Sequence, residues 1–157
     1  MKTPLETSPY KLIQEELRHN PWRLLVAVIC LNQTSAKQAR PVLDNFFKIW
    51  PDPESAALAI PDLVTDVIRP LGLQRKRARN IISMSQEFLR GEFRDPDELP
   101  GIGKYGADSY RLFIENVLIL DVEDKELRNY VEWAQRRHGD VDDRGIRSGL
   151  SKSVDGA

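Results

Sequence analysis

The stretch Leu99-Pro100-Gly101-Ile102-Gly103-Lys104-Tyr105-Gly106-Ala107 combines residue types and spacing that could do chemistry. Two glycines around one apolar residue permit a tight turn between helices, with Ile102 in the core and backbone N–H groups unpaired at the next helix start. Such a start attracts a phosphate oxygen. Without side chains at Gly101 and Gly103, a nucleic-acid backbone can approach closely while no base is read. A plain helix-to-helix turn fits the same residues equally well. A second feature is the cluster Arg69, Arg75, Lys76, Arg77 and Arg79 around the turn Pro70-Leu71-Gly72-Leu73. It suits either phosphate contacts or a solvated helix face.

Composition closes other routes. The 157 residues hold one cysteine, Cys30, in the most apolar segment, where a buried thiol acts as a small hydrophobe. One sulfur cannot supply a four-cysteine iron–sulfur cluster or a thiolate zinc site. His19 and His138, the two histidines, lie too far apart in sequence to suggest a metal pair, and hydrolytic triads lose their usual base. No metal is expected. Net charge is -1 with a pI near 6.2, so no global pull toward a polyanion exists and local charge decides. The longest apolar run, around 24–31, falls short of the roughly 18–20 residues a membrane helix needs, so no membrane partner is expected. Pro4, Glu6 and Pro9 interrupt the N-terminus where a secretory signal would need a basic stretch and an apolar core, which implies an intracellular address.

The positioning elements read as helices almost throughout. Leu12, Ile13 and Leu17 mark a short first helix. Pro21 opens a second whose apolar residues run too continuously for a one-sided stripe, predicting a central helix buried all round. Thr34 or Ser35 caps a third, carrying Ala39, Val42, Leu43, Phe46, Phe47 and Trp50 and ended by Pro51 and Pro53. Further helices are predicted over 55–59, 61–68, 76–89, 104–116 and 125–138, with 117–120 either a short strand or a connector. One domain over 1–138 results, and the Gly-, Ser-, Asp- and Arg-rich residues 139–157 predict a disordered tail.

The glycine hairpin followed about one helix later by Asp124 resembles the helix-hairpin-helix DNA glycosylases of the endonuclease III superfamily. Leu31-Asn32-Gln33-Thr34-Ser35 resembles their segment after the central helix. Leu71-Gly72-Leu73 with Lys76, Ala78 and Ile81 resembles their G-L-x-x-x-[KR]-A-x-x-I segment. Four segments match in the correct order, over about 9–133. Within that superfamily, Leu12-Ile13-Gln14-Glu15, His19-Asn20-Pro21-Trp22, Pro70-Leu71-Gly72-Leu73, Asp108-Ser109-Tyr110-Arg111 and Glu123-Asp124 are similar to the catalytic domain of methyl-CpG-binding thymine glycosylases.

The resemblance implies an all-α helix-hairpin-helix glycosylase fold, two helical lobes with the active-site cleft between them. It implies that Asp124 is the catalytic carboxylate, helping water attack the sugar C1′ or stabilising the oxocarbenium-like charge. Asp121, three residues earlier, is the competing acid. Tyr105 stands where strand-cutting members carry a lysine, so an enzyme that leaves an abasic site without nicking is implied. Tyr105 and Gln14 would line the base pocket, the amide facing the O and N–H edge shared by uracil and thymine. Gln33 would fill the gap left by the extruded nucleotide and Leu73 would wedge beside the orphaned base. Gly101, Gly103 and Lys104 would hold backbone at the hairpin, and Arg75 and Lys76, with Arg77 and Arg79, would add phosphate contacts. The expected substrate is double-stranded DNA with thymine or uracil opposite guanine, bound by a monomer, in a nucleus or a prokaryotic cytoplasm. No organic cofactor is implied, and a monovalent cation on hairpin carbonyls is a family-level expectation. Alternatives are a same-fold glycosylase for another damaged base and a non-catalytic DNA-binding module.

Overall fold

A computed structural model of the chain describes residues 1–139. Among the described residues eight α-helices follow one another: α1 (Ile13–Glu16), α2 (Pro21–Leu31), α3 (Ala36–Ile49), α4 (Pro53–Ala57), α5 (Pro61–Ile68), α6 (Gln74–Arg90), α7 (Lys104–Phe113) and α8 (Lys125–Gly139). Short 3-10 turns occupy Arg69–Leu71 and Pro96–Glu98. The architecture is all-α.

Local chemistry sets most boundaries. Asn20 caps α2 by accepting the Arg23 N–H at 3.0 Å, and Pro21 takes the first helical position, where its missing N–H costs nothing. Between Thr34 and Ser35, Ser35 is the cap of α3, its hydroxyl accepting from Gln38 N–H. Asp52 does the same for α4, and Gly91, at φ +67°, ends α6 in the left-handed conformation favoured for a helix stop.

The central-helix expectation holds: from Leu24 to Leu31 every side chain of α2 is buried, and α2 touches α1, α3, α6 and α7. On one side the chain's middle, α3 to α6, closes over Trp22 and Phe46, with the Trp22 indole N–H donating to Ser85 Oγ at 2.9 Å. On the other side α7 and α8 meet through Phe113 and Tyr130, whose ring centroids lie 4.7 Å apart. The N-terminal segment joins this second group. Leu118 N–H donates to Met1 O, Thr3 N–H donates to Asn116 O, and Arg137 of α8 forms an ion pair with Glu6 at 2.7 Å.

Four expectations need adjustment. Pro53, expected to help end α3, opens α4 instead, so that helix runs over 53–57 and not 55–59. Helix α7 stops at Phe113, three residues early, because Ile114–Asn116 turn into the contact with the N-terminus. Residues 117–120 form no strand; Val117 makes one isolated antiparallel bridge to Lys2. Gly139 still belongs to α8, and the remainder of the expected tail, 140–157, lies outside the described residues.

Candidate active site and nucleic-acid interface

Asp124 is placed by the start of α8. Its carboxylate accepts the Leu127 N–H at 2.9 Å while its carbonyl accepts from Arg128, so it is the N-cap. Its other carboxylate oxygen takes no part in the cap, and Asp124 lines a cavity of about 260 Å³ together with Tyr105, Gln14, Thr34, Lys11 and Glu126. Asp121, the competing acid, is exposed, and its charge acts on Lys104 instead.

Gln14 is buried at 3% exposure, not a surface residue of a first helix. Its amide N–H₂ donates to the Tyr105 hydroxyl at 2.8 Å and to Ser109 Oγ at 3.3 Å, which leaves its carbonyl oxygen without a partner among the described residues. The segment ahead of Gln14 is fixed by Glu15, whose buried carboxylate accepts from Ser8 N–H, Ser8 Oγ and Leu12 N–H at 2.7–2.8 Å. Burial, and next the nearby Asp124 charge, push the Tyr105 phenol far above its ordinary value. The hydroxyl therefore keeps its proton and can donate it.

The hairpin leads out of this cavity. Tyr105 also lines a neighbouring hollow of about 120 Å³ with Lys104, Gly101, Gly103 and Asn32. Gly101 and Asn32 in turn line a third, of about 220 Å³, together with Gln33, Leu73, Lys76 and Asn80. Shared lining residues set the three hollows side by side, as a track of neighbouring depressions. The two hairpin glycines do different work. Gly101 has φ +78°, and a Cβ there would lie 2.8 Å from Asn80 Cβ, so its missing side chain lets the hairpin pack on α6. Its backbone is nonetheless exposed and lines the second and third hollows, beside Gly103. A Cβ on Gly103 would meet nothing within 4 Å, and no side chain caps α7 there, so the first N–H groups of α7 open onto free space. Lys104 donates to the buried Asp108 at 2.9 Å, and that bond raises the pKa of its ammonium.

At the far end, Gln33 and Leu73 are exposed non-glycine residues with left-handed backbones, φ +61° and +49°. Such backbones cost an L-residue stability and recur at functional sites. Arg75 and Lys76 are exposed on the first turn of α6, as is Arg79 a turn further on. Arg77 is not: at 5% exposure it faces inward and donates to backbone carbonyls, which removes it from the expected phosphate contacts. Sequence reasoning also missed Lys11, Glu126 and Ser109 around the cavity. Ser109 sits one helical turn after Tyr105 and could have been found from that spacing; Lys11 and Glu126 carry no signal beyond proximity in sequence to Gln14 and Asp124. Among the described residues, no cluster of three or more His, Cys, Asp or Glu could hold a metal ion.

Residues 26–153 match the family model described as HhH-GPD superfamily base excision DNA repair protein. A methyl-CpG-binding domain protein 4-like protein of Arabidopsis thaliana is 39% identical over 117 residues, covering 71% of this chain and 26% of that protein. A thymine-DNA glycosylase of Aeropyrum pernix is 36% identical over 100 residues, covering 59% of this chain and 45% of the relative. The chain thus spans between a quarter and a half of the length of these curated relatives. A solved non-covalent complex of endonuclease III with DNA superposes with a TM-score of 0.61 at 27% identity, over 79% of this chain and 59% of that one.

Proposed function

The chain belongs to the HhH-GPD superfamily of base excision DNA repair proteins, and from that premise we propose that it is a DNA glycosylase that extrudes thymine or uracil mispaired with guanine and hydrolyses its N-glycosidic bond without cutting the strand. One observation carries this reading: Gln14 of α1, Tyr105 of α7 and Asp124 at the start of α8 converge on a single cavity. The cavity ends a track that begins at the exposed Leu73 and Gln33.

Each group then has a defined task. The free carbonyl oxygen of Gln14 accepts the pyrimidine N–H, and the Tyr105 hydroxyl, held by the Gln14 amide, donates to a carbonyl of the base as negative charge builds on the leaving group. Asp124 takes a proton from the water that attacks C1′ and opposes the positive charge developing on the sugar. The C1′–N bond breaks, the water oxygen joins C1′, and the base leaves to take up a proton. A mispaired base is the favoured target because extruding it costs less than breaking a Watson–Crick pair. Lys104, bound to Asp108 and lining the hairpin hollow, favours the no-nicking reading, since an amine must lose its proton to attack a sugar.

Duplex DNA is the proposed partner, bound by a monomer, with Gly103, Lys104 and the α7 N–H groups on one strand's backbone. A monovalent cation on the hairpin carbonyls is part of the same reading and would neutralise a nearby phosphate. Labelled duplexes carrying G·T, G·U, A·U or an oxidised base test the reading, with strand scission compared before and after alkali. Scission of G·T and G·U only after alkali is the expected outcome. Direct scission overturns the absence of a lyase, excision confined to another base overturns the pyrimidine assignment, and binding without scission marks a non-catalytic module.

A further inference from the structure

We propose that Arg77 locks the two turns carrying Gln33 and Leu73 into one rigid unit, so that both side chains enter the duplex together; the inference rests on the base-extrusion reading above. One guanidinium reaches both turns. Its Nη1 donates to Leu71 O at 2.9 Å and Gly72 O at 3.2 Å, the two carbonyls immediately before Leu73. Its Nη2 donates to Asn32 O and to Thr34 Oγ1 at 3.1 Å, the residues on either side of Gln33. The turns are far apart in sequence, and Arg77 is their common support.

The chemistry of the site fits that task better than a general packing role. Arg77 makes no ion pair among the described residues, so its buried charge is compensated by carbonyl dipoles, among them Asn32 O at the C-terminal end of α2, where a cation is favoured. The planar fork of donors is what lets one side chain serve two loops at fixed geometry. Both supported residues hold left-handed backbones that open turns do not keep unaided, φ +61° at Gln33 and +49° at Leu73. Leu73 O also accepts the Arg77 N–H at 2.9 Å, so the residue that bridges the turns is tied directly to the wedge. Thr34 extends the link, because it lines the cavity that holds Asp124.

The test is a double-substitution cycle read by fluorescence of 2-aminopurine placed beside a G·T pair, which brightens on unstacking whether or not the bond is cut. With Arg77 intact, Gln33→Ala and Leu73→Ala each lower extrusion about tenfold, and the double variant loses scarcely more than either alone, because a locked unit fails as a whole. In Arg77→Lys, which keeps the charge but loses the fork, the two losses multiply toward about a hundredfold. Thr34→Val, which removes one of the four bonds and threatens folding least, moves the cycle part of the way. Losses that multiply with Arg77 intact, or coupling unchanged in both Arg77→Lys and Thr34→Val, overturn the inference while leaving extrusion standing. A wild-type protein that never brightens the probe overturns extrusion and the inference together.

Discussion

The two ends of the track are built on opposite principles. At the Asp124 end, polar atoms are fixed by side-chain hydrogen bonds in partial or full burial: Gln14 to Tyr105 and Ser109, Asp124 to the first turn of α8. At the Leu73 end, the working side chains make no such bonds and stand in solvent, and it is the backbone beneath them that is fixed, by Arg77. Chemistry at a sugar needs atoms placed within tenths of an ångström, whereas a wedge needs a stiff mount and an exposed apolar tip. Substitutions at the first end should therefore change rate, and those at the second should change binding and extrusion.

The sharpest way to break this division is Asp124→Asn. Asparagine caps a helix about as well as aspartate, so α8 and the fold persist, while the proton acceptor and the negative charge beside the sugar are gone. Single-turnover excision is expected to fall about 10³-fold with DNA affinity within about twofold of wild type. A variant that keeps its rate removes Asp124 from the chemistry, and one that loses DNA affinity instead shows that the two ends are not separable.

A smaller effect is expected from Arg75→Gln and Lys76→Gln, the exposed cations flanking Leu73. Each released phosphate contact lowers the slope of log affinity against log salt by about 0.9. Excision from a saturated complex stays unchanged and the melting temperature stays put. Slopes unaffected by either change place the duplex elsewhere on the surface.

The two ends also differ in how far they were legible in the sequence. Helix caps and proline starts are local, so Pro21, Ser35 and Pro61 announced their helices without help from the fold, whereas the Asp52 cap and the Pro53 start of α4 were read only as the end of α3. Asp124, Tyr105 and Gln14 were nameable only because their flanking motifs resemble a known family; as isolated residues they look like a cap, a packed aromatic and a surface amide. Burial of Gln14 depends on α7 folding across α1, a contact between residues 91 apart that no window of sequence contains. Arg77 shows the reverse failure. Among neighbours Arg75, Lys76 and Arg79 it looks like one more phosphate contact, and only its angular position on α6, turned toward the two loops, makes it a support. The packing role of Gly101 was hidden for the same reason, since the side chain that a Cβ there would meet belongs to Asn80 on another helix.

The mildest probe of the buried end is pH. Burial raises the phenols of Tyr105, Tyr110 and Tyr130, with the Asp124 charge adding at Tyr105 and the Glu115 charge at Tyr110. A raised tyrosine is favoured neutral in the fold, so its contribution to stability is fully present below the unfolded value of about 10 and is lost as pH climbs above it. Unfolding free energy should thus decline on the alkaline side, and more gently in Tyr105→Phe, which has one phenol fewer to deprotonate. Asp124→Asn tests the cause separately: with the neighbouring charge removed, the Tyr105 phenol should ionise at lower pH than in wild type, as followed by phenolate absorbance. If Asp124→Asn leaves that titration where it was, the carboxylate and the phenol do not share a cavity, and the contrast between a hydrogen-bonded chemical end and a backbone-mounted wedge end loses its first half.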